Sequence, residues 1–286
     1  VRELSGKVAV VTGAASGIGR ALATRFAAEG MSLMLADVDP GGLAETAALA
    51  GDAKVLTQVT DVSDAAAVRH LANRTFGELG AVHVLCNNAG VFQGGHLWTR
   101  SEEDFSWLLG VNLWGVLHGI RAFVPRMIEQ DTEGHIVNTV SVAGLFAAPW
   151  FGTYSVSKYA ALAASQSLAQ DLAVTGSKLR VTALCPGGVK TRINDSARVR
   201  PPDLSNLRSS DETESQEIID HVLEGGIEPS QVADLVVEAI HEERFLLLTH
   251  PEYADRLRRQ TETLLSGRLP PLPTIDAADP AGSGRE

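Results

Sequence analysis

Three side-chain types that act on one kind of oxygen lie within the stretch Asn138–Lys158, NTVSVAGLFAAPWFGTYSVSK. Tyr154 and Lys158 stand four residues apart, just ahead of an Ala-rich run, YAALAASQSLAQDLA, that reads as a helix. An i, i+4 spacing puts both side chains on one helical face, roughly 5–6 Å apart at Cβ. An ammonium beside a phenol favours the phenolate and lowers the tyrosine pKa from about 10 toward the working pH. That turns a poor acid/base into a usable one. Ser141 ends the apolar strand HIVNTVS, from where its hydroxyl can donate to an oxygen shared with the tyrosine. A phenol, a lysine and a serine meeting at one oxygen suit protonation or deprotonation of an alcohol or ketone. A Tyr–Lys pair alone is more often a solvated helix face, so the surrounding elements decide.

KVAVVTG (Lys7–Gly13) is a short β-branched run closed by glycine, hence a buried strand. Gly13-Ala-Ala-Ser-Gly17-Ile-Gly19 follows, then RALATRFAAEG, a helix ended by Gly30. Strand, glycine loop and helix N-terminus together present backbone N–H groups and a positive dipole end to a pyrophosphate. Glycine is needed there because a Cβ would block close approach or forbid the turn. The loop residues Gly13, Ser16, Gly17, Ile18 and Gly19 are the expected cofactor contacts, although GxxxGxG is not the GxGxxG fingerprint. The second strand, MSLMLADVD, ends in Asp37. An acid about 20 residues past the loop bonds a ribose 2′-OH and repels a 2′-phosphate. With no basic residue at Ala14, Ala15, Ser16 or Val38, the cofactor reads as NAD rather than NADP.

Helices and strands then alternate. A helix over about Pro40–Ala50 leads to the strand KVLTQVTDV with Asp61-Val62 at its end. The helix DAAAVRHLANRTFGEL precedes VHVLC, which runs into Asn87-Asn88-Ala89-Gly90. Such alternation implies βαβ units and a parallel sheet. Ligands bind these sheets at the strand carboxyl ends, where the glycine loop, Asp37, Asp61 and the NNAG turn all sit.

Composition narrows the class. In 286 residues, 44% hydrophobic and 21% charged, there is ample material for a core. The 24 basic and 35 acidic residues leave a formal charge of −11, which argues against nucleic-acid or anionic-membrane surfaces. No apolar run of about 18 residues is evident, so no membrane span is expected. VRELSGKVAVVTG has no charged and apolar leader pattern, so no signal peptide is expected. Cys86 and Cys185 each end an apolar run and read as buried and reduced, consistent with a cytoplasmic protein. The eight histidines and two cysteines show no HxxxH or CxxC spacing, so no metal is expected.

The order TGxxxGIG (Thr12–Gly19), Asp37, DV (Asp61-Val62), NNAG (Asn87–Gly90), VN (Val111-Asn112), Ser141, YxxxK (Tyr154–Lys158) and PG (Pro186-Gly187) resembles the short-chain dehydrogenase/reductase family. The likeness covers about residues 4–250. It implies a single-domain Rossmann fold with a doubly wound parallel sheet of about seven strands and helices on both faces. It also implies homodimers or homotetramers that move a hydride to or from nicotinamide. By position, Asn88, Ala89 and Gly90, together with Asp61 and Val62, would contact the cofactor. Pro186, Gly187, Val189 and Thr191 match the family's PGxVxT, whose backbone and threonine reach the nicotinamide amide and the phosphates. Tyr154 would be the acid/base and Ser141 the oxygen's hydrogen-bond partner. Lys158 would lower the tyrosine pKa and bind the nicotinamide ribose. Asn112 would interrupt its helix and hold a relaying water.

Residues after the strand ends are expected to line the substrate pocket: Phe92, Leu145, Phe146, Trp150, Phe151 and Val189, with Ile219 from a lid. Their apolar and aromatic character implies a hydrophobic secondary alcohol or ketone, cyclic or aromatic. The competing readings are an acyl-thioester ketoreductase, which Asp37 and the charge disfavour, and a dinucleotide-sensing protein without chemistry. The lid is placed at about 192–226. SQEIIDHVLEGG in its second half should form an amphipathic helix over the pocket. The preceding SARVRPPDLSNLRSSDE has too little apolar surface to offset its ordering entropy and should be mobile without ligand. Beyond a catalytic domain at 1–250, residues 251–286 read as a surface helix, PEYADRLRRQTETLLSG, and a Pro/Gly-rich tail.

Overall fold

The computed structural model describes residues 1–202, 204 and 209–272. The tail 273–286, and residues 203 and 205–208 of the segment expected to be mobile, lie outside the described residues. The chain runs β1 (Val8–Thr12), α1 (Gly17–Ala28), β2 (Ser32–Asp37), α2 (Pro40–Leu49), β3 (Val55–Val59), α3 (Ala65–Leu79) and β4 (Val84–Asn87). It continues through α4 (Glu102–Leu109), α5 (Gly115–Glu129), β5 (Gly134–Thr139), α6 (Gly152–Val174) and β6 (Leu179–Cys185). The closing elements are α7 (Ser210–Glu224), α8 (Pro229–His241), β7 (Leu246–Leu248) and α9 (Tyr253–Leu265).

The strands pair in parallel in one seven-stranded sheet of order β3-β2-β1-β4-β5-β6-β7. The central strands are apolar on both faces, as a sheet covered on two sides requires. Ala9, Val11, Leu33 and Leu35 face one layer, with Leu22 and Phe26 of α1 and Val236 and Ile240 of α8. Val10, Met34, Leu85 and Ile136 face the other, with Leu71 of α3, Phe123 of α5 and Leu172 of α6. The order reverses between β1 and β4, and the loops after those two strands flank the crevice where such sheets bind ligands.

Caps place the helices where polar residues stand in the sequence. Asp39 and Asp64 accept from Gly42 and Ala66 N–H at the starts of α2 and α3. Ser101 and Asp104 form a reciprocal capping box at α4. Between α4 and α5 the chain makes a π-turn, Gly110–Trp114, with Asn112 inside it. The combined run 102–129 is 28 residues and, by length and composition, apolar enough to cross a membrane, which the sequence reading did not find. Here it packs against α3 and α6 and buries Phe123, Val124 and Met127 in the core.

The excursion between β6 and α8 begins and ends at one point. Ile227 N–H donates to the Gly188 carbonyl and Lys190 N–H to the Ile227 carbonyl, both at 3.0 Å. A Cβ on Gly226 would stand 2.5 Å from the Gly188 carbonyl carbon, so the closure needs glycine. α9 is not a free surface helix: Tyr253 and Leu257 pack against Val140, Leu145 and Phe146.

Candidate active site

A cavity of about 420 Å³ runs along the carboxyl ends of the strands, from Asp37 at one end to α7 at the other. At the first end the glycine loop is shaped by its neighbours as much as by any ligand. A Cβ on Gly13 (φ +67°) would lie 2.7 Å from the Ala89 Cα, and one on Gly19 would lie 2.0 Å from the Gly13 carbonyl oxygen. Gly17 (φ +52°) meets only a side chain, Thr191, at 3.0 Å from a would-be Cβ. Thr12 Oγ1 accepts from Asn88 and Ala89 N–H at 2.9 and 3.1 Å, locking the NNAG turn to the loop. Asp37 accepts from Ala15 N–H at 2.9 Å and from Asp39 N–H at 3.1 Å, which holds its carboxylate at the crevice mouth. Arg20 donates to the Ala15 carbonyl at 2.6 Å and pairs with Glu45, so this cation is already engaged.

The residues therefore fit a dinucleotide. The loop lets backbone come close, α1 presents its N-terminus, and Asp37 offers an acceptor to a ribose. Ser16, Gly17, Ile18, Gly19, Asp61, Val62, Asn88, Ala89, Gly90, Pro186, Gly187, Val189 and Thr191 all line the same cavity.

Midway along the cavity stand Ser141, Tyr154 and Lys158. Ser141 lies two residues past β5 with φ 155° and ψ 161°, a region essentially confined to glycine, which costs about 1–3 kcal/mol. Its neighbours hold it there: Val140 N–H donates to the Leu184 carbonyl at 2.7 Å and Val142 N–H to the Pro186 carbonyl at 2.9 Å. Burial pushes the Tyr154 phenol up to about 12, opposed by its hydrogen bond with Ser141. Tyr154 still meets solvent across the cavity, which tempers that push.

Lys158 is buried, and loss of solvation brings its ammonium down to about 8. Its Nζ donates to the Thr139 carbonyl at 3.0 Å and sits 5.6 Å from the Tyr154 ring centroid. The sequence spacing predicts a lysine that depresses the phenol. In the fold, burial acts on both groups, and it moves the phenol the other way.

Asn112 is fully buried in the π-turn. Its Oδ1 accepts from Val91 N–H at 2.9 Å, and its Nδ2 donates to the Val91 carbonyl at 2.9 Å and to Ser157 Oγ at 3.1 Å. Asn112 thereby fixes the strand extension after NNAG against the helix that carries Tyr154 and Lys158.

The end of the cavity away from Asp37 is apolar. Phe146, Phe151 and Val189 line it, and α7 brings Ile218, Ile219 and Val222. Three of the residues expected there do not reach the cavity surface. Phe92 is buried one layer behind, its ring 5.3 Å from Phe151 and 5.2 Å from Tyr154. Leu145 turns into the core under α9, and its carbonyl accepts from Tyr159 and Gln260. Trp150 adopts φ +61°, which carries its ring toward His96 instead.

Trp107, Pro149, Tyr253 and Arg256 take part in the wall without having been expected. Tyr253 and Arg256 come from α9, whose amphipathic spacing was the one available signal.

Polar contacts dock the segment 192–226. Phe92 N–H donates to Ser196 Oγ at 2.8 Å. His96 N–H and the Thr99 hydroxyl donate to Asp211 Oδ2 at 2.8 and 2.6 Å. Arg100, nearly inaccessible to solvent, reaches Asp211 at 3.4 Å and Glu212 at 2.5 Å, while Arg200 reaches Asp104 at 2.5 Å. The described part of the segment expected to be mobile on apolar content is thus tied down by buried ion pairs. Hydroxyl donation from Ser209 and Thr99 leads the contacts that hold the Asp211 carboxyl well below the usual range. Cys86 and Cys185 are buried free thiols, both pushed up by burial.

The family model for short chain dehydrogenases matches residues 7–201. A short-chain dehydrogenase/reductase from Burkholderia phymatum, solved in complex with NAD, superposes with a TM-score of 0.93 at 43% identity, covering 96% of this chain and 99% of that one. A short-chain dehydrogenase from Mycobacterium paratuberculosis bound to NAD gives 0.73 at 26% identity, with 86% and 97% covered. The 1-deoxy-11-beta-hydroxypentalenate dehydrogenase of Streptomyces avermitilis is 36% identical over 264 residues, 90% of each chain.

Proposed function

The chain belongs to the short-chain dehydrogenase/reductase family, and we propose that it is an NAD-dependent dehydrogenase interconverting hydrophobic secondary alcohols and their ketones. The cofactor is NAD, in keeping with the NAD-bound relatives and with the acceptor that Asp37 holds at the crevice mouth. One observation carries the reading: a single cavity joins Asp37 and the glycine loop to Ser141, Tyr154 and Lys158 and ends in an apolar wall. A hydroxyl-bearing substrate is supported by the relative named for 1-deoxy-11-beta-hydroxypentalenate, a hydroxyl-bearing carboxylate by its name.

When bound, the nicotinamide supplies the hydride acceptor or donor. The chain's own groups do the rest. Tyr154 moves the proton at the substrate oxygen, taking it in oxidation and returning it in reduction. Ser141, held in its strained backbone conformation, donates to the same oxygen. Lys158 supplies positive charge behind the phenol and a donor for a ribose hydroxyl. Asn112 keeps the Tyr154 helix in register with the NNAG turn. α7 covers the apolar end and excludes water. Family position also points to a homodimer or homotetramer.

Turnover of a panel of secondary alcohols, followed by NADH absorbance, tests the reading. The panel spans neutral and carboxylate-bearing cyclic and aryl secondary alcohols, and activity with NAD⁺ is expected for at least one of them. A folded protein that binds NADH and turns over none of them would overturn it.

A further inference from the structure

Among the described residues, the apolar end of the cavity holds one cation, Arg256, with neither an ion pair nor a side-chain hydrogen bond. The acidic side chains among the lining residues, Asp37 and Asp61, both belong to the opposite, dinucleotide end. Three arginines line the substrate end, Arg192, Arg198 and Arg256. Arg192 pairs with Asp195 at 2.9 Å. Arg198 donates to the backbone carbonyls of Arg192 and Asp195 at 3.1 and 2.8 Å. Arg256 has no ion pair and no side-chain hydrogen bond to any described residue.

Its guanidinium carbon lies 4.7 Å from the Phe146 ring centroid and 6.0 Å from that of Tyr253, both of them cavity residues. α9 is fixed there by Gln260, whose amide donates to the Leu145 carbonyl at 2.6 Å. Stacking on aromatic faces orients a guanidinium and leaves its N–H fork free for a planar anion. Half-buried, it bears a desolvation cost that no described carboxylate offsets: besides Tyr253, the described charge that shifts it is that of Arg259, also a cation.

We propose that Arg256 binds a carboxylate carried by the substrate, so that the substrate class is a hydrophobic hydroxy acid, or the matching keto acid, rather than a neutral alcohol. The proposal rests on the dehydrogenase reading above and adds to it the far end of the substrate. The carboxylate would be held at the α9 wall by the guanidinium fork while the carbinol or carbonyl meets Tyr154 and Ser141. The apolar stem would lie along Phe146, Ile219 and Val222.

The test is equilibrium binding and turnover with two keto acids of different reach, benzoylpropionate and oxostearate, and the methyl ester of each. The protein is loaded with NADH and compared with Arg256→Gln and Arg256→Lys. In the unmodified protein at least one acid should bind about tenfold or more tighter than its ester, the size of a charge-assisted hydrogen bond. That ratio should fall to near one in Arg256→Gln, while Arg256→Lys keeps part of it as a point charge without the fork. A ratio near one for both pairs in the unmodified protein would overturn the proposal. So would a ratio unchanged in Arg256→Gln, or an NADH affinity that falls as far as the acid's, which would assign the arginine to the cofactor. If the acid preference holds but NADH is never oxidised by any of the four compounds, the dehydrogenase reading fails and the anion site stands.

Discussion

Lys158 Nζ lies 5.6 Å from the centre of the Tyr154 ring and donates to the Thr139 carbonyl, so the carbonyl at the end of β5 anchors the charge beside the phenol. The phenol is held up at about 12 by burial and the ammonium down at about 8. The proton at the substrate oxygen then depends on the tyrosine hydroxyl itself. Tyr154→Phe keeps the ring contact with Phe92 and removes only the titrating oxygen. Turnover should fall by about two to four orders of magnitude with NADH binding nearly intact. Near-normal kcat in a folded mutant would remove Tyr154 from the role.

Asp37 holds its carboxylate between Ala15 and Asp39 N–H at the mouth of the crevice. Asp37→Ser removes the acceptor for a ribose hydroxyl and the charge that repels a 2′-phosphate. The ratio of kcat/KM for NAD⁺ over NADP⁺ should drop at least about tenfold, about 1.4 kcal/mol. Equal use of the two cofactors by the unmodified protein would show that Asp37 does not select between them.

Arg100 bridges Asp104 to Asp211 and Glu212 out of contact with water, and so joins the start of α4 to the start of α7. Removing one partner of a buried ion pair strands the others, at a cost of about 3–5 kcal/mol. Arg100→Met should lower the urea midpoint accordingly and speed proteolysis within 192–226. A loss under about 1 kcal/mol with unchanged proteolysis would mean that the lid is held by other contacts.

His83 and His135 are buried neutral, with pKa values lowered to about 4 and about 3, chiefly by loss of solvation. Val8 N–H donates to His83 Nδ1, which needs that nitrogen bare. An unfolded histidine binds its proton near 6.5, so below that pH the unfolded chain takes up protons first. Stability is therefore full above pH 6.5 and lost as pH falls toward the folded values. His135 alone should contribute about 1–2 kcal/mol of loss between pH 6.5 and 5. Solvent screening makes the His83 share smaller. Urea titrations at the two pH values measure this, and His135→Gln should flatten the slope. An equal slope in the mutant would refute the assignment.

Much of this protein was legible before folding because the signals are short-range. Strand, glycine loop and helix follow one another within Lys7–Gly30, and β-branched runs closed by glycine need no distant partner to be read. Asp37 marks a strand end, and Tyr154 and Lys158 share a face by helical spacing alone. The parallel sheet follows from the alternation of such elements, and the family from the order of their motifs.

What the tertiary structure decided depends on groups far apart in the chain. Asp211 meets Arg100 across 111 residues, and such pairing leaves no trace in local composition, so the lid segment looked unable to order itself. Phe92, Leu145 and Trp150 have side chains suited to a pocket. Whether each faces it depends on a backbone angle and on which neighbours fill the core first. α9 reads from its sequence as a surface helix, and none of its residues is fully buried, yet Tyr253 and Arg256 close the apolar end of the cavity. Periodicity tells which face of an element is apolar, but close packing between distant elements determines what that face meets.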